Sequence, residues 1–231
     1  MADRKRVVSL VPSSTETLLA LGADVVACTR FCEQPDLPHV GGTKNPDVDA
    51  IVGLAPDLVV LDREENRVED HDALVAAGLD VFVSDVTTVA AGLAVVGELA
   101  DASSLDRPDP VDVIEPAAPP RRRAFVPIWR RPWMTISAAT YGASVLDHLG
   151  IDVIPTGAGA AYPTVELADL PSHDPEIVLV PSEPYEFGDA HLAELSDALP
   201  GVAVIRVDGQ DLFWWGTRTP GALRRLSDQL R

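Results

Sequence analysis

"LAPDLVVLDREEN" (residues 54–66) and "HDPEIVLVPSEPY" (residues 173–185) follow one plan. Each ends a short helix-like stretch at a Pro–acid pair, Pro56-Asp57 and Pro175-Glu176. Each then runs through apolar β-formers and stops in a polar, acidic loop. Proline disfavours the helical backbone at the residue before it, so both helices must end there. An apolar run too short for a helix, with no polar alternation, is a strand covered on both faces. Two copies of one unit predict two α/β lobes of similar design.

The same rhythm extends in both directions. Strands are expected over 7–10, 25–28, 58–61 and 81–84, and again over 124–128, 153–154, 177–180 and 204–207. Helices are expected over 14–21, 48–54, 69–77, 89–102, 143–149, 165–170, 191–199 and 220–230. Apolar strands separated by helices form parallel sheets with helices on their faces. The boundary lies in "SSLDRPDPVDVIEPAAPPRRR" (103–123), which holds five prolines and no periodicity. Before it, "TTVAAGLAVVGELADAS" suits a helix of about 16 residues, roughly 24 Å long. The expected division is an N-terminal α/β lobe over 1–86, a bridging helix plus Pro-rich linker over 87–123, and a C-terminal α/β lobe over 124–231.

The 231 residues include 36 acidic and 18 basic side chains, a formal net charge of −18. A chain this acidic has no broad basic face for nucleic acid or anionic membranes. No segment holds the ~20 apolar residues that cross a bilayer, so no membrane insertion is expected. The N-terminus "MADRKRVVSLVPSS" lacks a signal-peptide core; the expectation is a cytoplasmic protein, or an extracytoplasmic one if the sequence is a processed form. Cys28 and Cys32, four apart in "CTRFC", read as reduced, partly buried thiols, since no second Cys pair or neighbouring His set completes a zinc site.

The stretch "RVVSLVPSSTETLLALG" (6–22) passes from strand to helix. It matches no Walker loop, no dinucleotide-binding glycine fingerprint and no nucleophile elbow. Ser13-x-x-Glu16 fits a capping box. The alternative is a helix start whose N–H groups and hydroxyls face a ligand.

Three stretches, "RVVSLVPSSTETLLALGA", "VGGTKNPDVDAIVGLAPDLVVL" and "LVAAGLDVFV", together resemble the N-terminal lobe of the helical-backbone class of ABC-importer substrate-binding proteins, the cobalamin and ferric-siderophore type. "IWRRPWMTISAATYGASVLDHLGI" and "YPTVELADLPSHDPEIVLVPS" resemble the second lobe of that family. The resemblance implies two Rossmann-like lobes with parallel sheets, joined by a single bridging helix, with ligand in a cleft between the lobes. It implies a non-enzymatic, monomeric binder of a small-molecule metal chelate (cobalamin or another corrinoid, haem or a ferric siderophore) that requires no cofactor and delivers its ligand to the membrane subunit of an ABC importer. It also implies one transporter-docking glutamate per lobe, and Glu69 and Glu166 lie near those places. The chain departs from the family where the Pro-rich stretch replaces the second half of the bridging helix.

Ligands of parallel sheets sit beyond the carboxyl ends of the strands. Those ends nominate Ser13, Ser14, Arg30, Phe31, Lys44, Asn45, Glu64 and Asn66 in the first lobe. In the second they nominate Trp129, Trp133, Tyr162, Glu183, Tyr185, Phe213, Trp214, Trp215 and Arg218. All four Trp and all three Tyr follow residue 128. Rings mixed with charge in "PIWRRPWM", "EPYEFGD" and "DLFWWGTRT" suit a large, flat, partly charged ligand. Each ring has a plainer alternative as a staple that holds a loop on its lobe. The acids of "REENRVEDHD" read equally as a solvated helix start, Arg121–Arg123 as a solvated linker end, and Arg218 as a clamp for a carboxylate or phosphate. Two other functions fit the same scaffold. A chelatase-like or cobalamin-processing enzyme would draw on Glu183 and His71, and a protein-docking module would use the aromatic loops.

Overall fold

A computed structural model of the chain describes residues 4–118, 121–155 and 159–231. Two compact units divide the chain: residues 1–86, 90–111 and 215–219 form the first, and 87–89, 112–214 and 220–231 the second.

In the first unit, β1 (Arg6–Ser9), α1 (Pro12–Ala20) and β2 (Asp24–Cys28) are followed by a small hairpin, β3 (Gly41–Gly42) and β4 (Asn45–Pro46). Then come α2 (Val48–Leu54), β5 (Leu58–Asp62), α3 (Val68–Ala76), β6 (Val81–Ser84) and α4 (Val89–Ala102). The sheet has the order β2-β1-β5-β6, and its strands are parallel. Val8, Leu10, Ala27, Val59 and Leu61 pack with Ile51 of α2 and Leu74 of α3 in one core.

The second unit holds β7 (Arg122–Phe125), a hairpin of β8 (Pro127–Trp129) and β9 (Met134–Thr135), α5 (Tyr141–His148) and β10 (Ile151–Ile154). These are followed by a 3₁₀ segment (Leu167–His173), β11 (Ile177–Pro181), α6 (Asp189–Ala198), β12 (Ala203–Val207), α7 (Gly209–Phe213) and α8 (Thr219–Leu230). Its parallel sheet runs β10-β7-β11-β12. Phe125, Val178, Val180, Leu170, Leu195 and Leu199 fill its core.

The two sheets place the quoted repeat at equivalent strands: β5 and β11 each stand third in order. Before each strand the chain turns through a left-handed residue, Ala55 (φ 46°) and Asp174 (φ 52°). The Pro–acid pair then does the same work twice. Asp57 N–H donates to Arg6 O (2.8 Å), and Asp57 Oδ2 accepts from Arg6 N–H (2.8 Å). Glu176 N–H donates to Arg123 O (2.9 Å), and Glu176 Oε2 accepts from Arg123 N–H (2.9 Å). The arginine side chains close the clasp: Arg6 Nη1 donates to Leu54 O and Ala55 O (2.7 and 2.9 Å), and Arg123 Nε to Asp174 O (2.7 Å). Charged donors at the last carbonyls of a helix complement its dipole.

Several expectations need correction. The strand foreseen over 124–128 ends at Phe125, and residues 127–129 leave it to pair with β9. The helix foreseen over 165–170 is a 3₁₀ segment interrupted by Pro171, and α7 had no forecast. The capping box is absent. Val11 is the N-cap and Pro12 the first residue of α1, because a proline at that position loses no hydrogen bond and already has helical φ. Arg121–Arg123 are not a solvated linker end. Arg121 pairs with Asp147 (2.6 Å) and Asp152 (2.8 Å), and Arg122 and Arg123 open β7. The Pro-rich stretch has no regular structure where it is described, yet it is tied down. Asp112 O accepts from Arg224 Nη2 (2.7 Å), Ile114 O lies 2.7 Å from His148 Nε2, and Ala117 N–H donates to His148 O (2.9 Å). Pro119 and Pro120 of that stretch lie outside the described residues.

The clasps give a matched test. Asp57→Ala and Glu176→Ala each remove a charge-assisted bond to a backbone N–H at the start of the neighbouring strand, Arg6 and Arg123, worth about 1 kcal/mol at an exposed site. Each variant is expected to lower the thermal midpoint of the 231-residue chain by about 2–4 °C, followed by calorimetry. Equal midpoints for wild type and both variants would show that the clasp carries no stability.

Candidate functional site

All strands of each sheet point the same way, so each unit has one edge where the carboxyl ends of four strands deliver their loops.

In the first unit this edge is rich in acid. Asp62, the last residue of β5, is buried and organises the loop that follows. Its Oδ1 accepts the N–H of Glu64 (2.9 Å), its Oδ2 accepts Ser84 Oγ–H (2.7 Å), and its own N–H donates to Asn66 Oδ1 (2.8 Å). Asn66 Nδ2 donates to Thr43 O (2.9 Å), which pins the β3–β4 hairpin against the loop. Lys44 Nζ donates to Glu64 O (2.5 Å), and Arg63 pairs with Asp85 (2.9 Å). Burial pushes the Asp62 carboxyl up, opposed by the Ser84 hydroxyl and the Glu64 and Glu65 N–H groups. Burial also pushes Glu65 up, against the pull of Lys44. Glu64 is raised to about 7 by loss of water around its carboxyl, then by Glu65 and Asp62, with Lys44 pulling it down. The residue as a whole is exposed, and solvent screens part of that push.

Beside this loop, Arg30 and Phe31 are exposed, with the guanidinium 4.7 Å from the ring centroid. Lys44 and Asn45 are exposed and Asn66 is buried. Ser13 and Ser14 are buried inside the first turn of α1. Ser13 Oγ lies 3.4 Å from Trp215 N as acceptor, and Ser14 Oγ has no hydrogen-bond partner among the described residues. Trp215 itself is buried. Arg218 is engaged by Glu16 (2.8 Å) rather than held open as a ligand clamp. This pair spends the glutamate that the capping box required.

The second unit's edge is made of rings. Trp129 ends β8 with 45% of its surface exposed. Tyr185 meets it edge to face at 5.2 Å, and Phe187 meets Tyr185 at 4.8 Å. Phe187 stacks on Trp133 at 5.8 Å with planes 2° apart, and His191 stands edge-on to both Tyr185 and Phe187. Trp133 is therefore a core residue, beneath the layer that meets solvent. Arg130 lies over the Trp133 ring (4.9 Å) and pairs with Glu194 (2.7 Å). Burial pushes the Glu194 carboxyl up, but the bonds from Arg130 and Trp133 outweigh it and leave it below its usual range. Glu183 accepts from Trp214 Nε1 (2.6 Å), which holds that buried indole. Gly209 makes room for this loop, since a Cβ there would lie 2.5 Å from Glu183 Cγ and 2.7 Å from its backbone N. Phe213 is half-buried on α7 and packs against Gly142 of α5, and Tyr162 is half-buried.

The structure thus brings together Arg30, Phe31, Lys44, Asn45, Glu64 and Asn66 at one edge, and Trp129 with Tyr185 at the other. It uses Trp133, Trp214, Trp215 and Arg218 as internal ties. Asp62, Asp85, His191 and Glu194 were missed. The strand-final position of Asp62 in the repeat was the available signal for the first of these.

Residues 7–105 match the family described as "Periplasmic binding protein". A vitamin B12-binding protein of Yersinia pestis is 27% identical, with 76% of this chain and 69% of the relative aligned. The periplasmic vitamin B12 binding protein of Vibrio cholerae superposes with a TM-score of 0.76 at 18% identity, covering 98% of this chain and 96% of that one. The apo periplasmic heme-binding protein of Roseiflexus sp. RS-1 gives 0.80 at 19% identity, covering 98% and 97%.

The similarity is to a family described as periplasmic binding proteins, matched over 99 of the 231 residues. Members of this family are binding proteins, not enzymes. The chelatase alternative has its glutamate, Glu183, bonded to an indole, and His71 bonded to Asp72 (2.9 Å). The cytoplasmic expectation finds no support in a family described as periplasmic. Among the described residues no helix is long and apolar enough to cross a membrane. The matched stretch spans every site residue nominated in the first unit from Ser13 to Asn66.

Glu64 supplies a pH test. Its folded pKa lies above the ordinary 4.5, so the native state holds the proton longer than the unfolded chain does. Stability is therefore lost as pH rises from about 4.5 to about 7, and changes no further from this group above that. Glu64→Gln should raise the thermal midpoint at pH 8 by ~1–2 °C and leave it unchanged near pH 4.5. A lower midpoint at pH 8 would mean that the carboxylate is stabilised there, contrary to this account.

Proposed function

We propose that this chain is a receptor for a corrinoid of the vitamin B12 type, delivering it to an ABC importer outside the cytoplasm as a monomer. Haem and a ferric siderophore are the other metal chelates that fit the same reading. The observation that carries it is the ring platform of the second unit, in which a half-exposed Trp129 is braced by Tyr185 and, behind it, Phe187. Large flat ligands are held by area, with a few polar groups to fix orientation. Aromatic faces supply that area at low entropic cost.

The Yersinia relatives, aligned over 76% of this chain, are vitamin B12-binding proteins. At the first unit's edge, Arg30, Lys44 and Asn45 are exposed polar groups suited to the amide side chains of a corrin ring.

The test is titration of purified protein with cyanocobalamin, haemin and a ferric hydroxamate, followed by tryptophan emission and thermal shift. Cyanocobalamin is expected to bind most tightly. Trp129→Ala should weaken it by about 10- to 100-fold, the range of an aromatic hot spot, with an unchanged thermal midpoint of the free protein. No response to any of the three ligands would reject the receptor reading. Preference for haemin would move the assignment to that ligand.

A further inference from the structure

The small hairpin of the first unit places a glycine beneath three residues that its edge exposes. After β2 the chain runs beside the segment that leads into β3. Cys28 N–H donates to Pro38 O (3.0 Å), Val40 N–H to Cys28 O (2.9 Å) and Arg30 N–H to Gly41 O (3.0 Å). This ladder carries Arg30 and Phe31 over Gly42, and the pairing of β3 with β4 sets Asn45 opposite it. Asn66 Nδ2, bonded to Thr43 O (2.9 Å), ties the hairpin down from the other side. Gly42 is buried, whereas Arg30, Phe31 and Asn45 are exposed. A Cβ on Gly42 would lie 2.8 Å from Asn45 Oδ1, 3.0 Å from Phe31 Cε2 and 3.2 Å from Arg30 Nη2. All three atoms are far ends of side chains. The backbone does not demand glycine here either, since the left-handed residue of the hairpin is Gly41 (φ 90°), not Gly42. Gly41 is a different case, because a Cβ there would meet the backbone oxygen of Asn45 at 2.6 Å. Glycine loses more conformational freedom on folding than any other residue. Alanine at an ordinary φ would reduce that cost. What glycine supplies at position 42 is the space into which three side-chain ends settle.

We propose that Gly42 is a positioning residue of the binding edge: by lacking a side chain it lets Arg30, Phe31 and Asn45 lie down as one shelf that receives the amide-bearing rim of the ligand. The inference rests on the receptor reading above and adds to it the residue that sets the shelf. The shelf offers a cation, a ring and an amide side by side, with the guanidinium 4.7 Å from the Phe31 centroid. A guanidinium and an amide N–H donate to amide oxygens, and the half-exposed ring supplies apolar area beside them. A methyl group at position 42 would lift all three ends without breaking a backbone bond. Gly42 acts through these side chains and is itself covered by them.

The full chain is studied first without ligand, by NMR. In the wild type the Gly42 Hα protons should show Overhauser contacts to the Phe31 ring, and the Arg30 Hδ protons should be shifted upfield by that ring. Gly42→Ala should move the Arg30 resonances toward random-coil values. Its thermal midpoint should stay within about 2 °C of wild type, because the stiffer unfolded chain offsets the crowding. Titration with cyanocobalamin should then show an affinity lower by about three- to tenfold, the size of coupling between residues in contact. In a Phe31→Ala, Asn45→Ala background the same substitution should change affinity by less than about twofold, since the two nearest obstacles are gone. Missing Overhauser contacts in the wild type, unaltered affinity in Gly42→Ala, or equal losses in both backgrounds would overturn the positioning role. So would a Gly42→Ala chain that does not fold, which would make the glycine a backbone requirement. No binding of cyanocobalamin, haemin or a ferric hydroxamate by the wild type would instead reject the receptor reading, and the shelf's role with it, whatever the resonances show.

Discussion

Each half of this protein depends on a carboxylate that holds two parallel strands in register at their entry. Parallel strands cannot be joined by a tight turn, so their alignment must be set by something other than the connection. Here a left-handed residue ends the preceding helix, a proline enforces the exit, and the acid after it bonds the backbone of the neighbouring strand through both its N–H and its side chain. In the first unit this fixes Val7 opposite Leu58, and in the second Ala124 opposite Ile177. The apolar faces of those strands then meet their helices without a slip, which would turn every buried residue outward. The loops at the opposite ends of the same strands inherit that register.

The two edges built this way differ in chemistry. The first is a hydrogen-bonded scaffold around a buried carboxylate, Asp62, with positively charged and amide groups projecting from it. The second is a stack of rings in which only the outermost, Trp129, is largely open, and the inner members set its orientation. A stack stiffens its exposed member because each ring beneath it is confined by close packing. On the proposed receptor reading, the cost of ordering that ring is met during folding, not during binding.

Much of this was legible in the sequence. The eight main strands and most helices follow from short apolar runs and Pro–acid breaks, and the repeat identified the equivalent strands β5 and β11. What escaped is long-range. Glu16 looked like a capping residue because its true partner, Arg218, lies 202 positions away. Arg121–Arg123 looked solvated because their partners follow much later in the chain, among them Asp152 and Glu176. Trp133 and Trp129 sit in the same short charged stretch, and only the hairpin of β8 and β9 decides that one is core and the other surface. The spacing of Cys28 and Cys32, two buried free thiols, gave no hint of the hydroxyls of Thr15 and Thr29 that converge on the Cys32 sulfur.

The charge balance narrows what the edges can hold. With 36 acids and 18 bases, the chain has half a cation for each anion. The structure spends many of its arginines internally: Arg6 and Arg123 on clasps, Arg121 on Asp147 and Asp152, Arg130 on Glu194, Arg218 on Glu16, and Arg225 on Asp211. Among the described residues, Arg30 is an edge guanidinium without a carboxylate partner, and it lies instead over the Phe31 ring. A polyanionic ligand would therefore meet a repulsive field with little local compensation. A ligand whose polar groups are neutral amides, and whose affinity comes from area over rings, avoids that penalty.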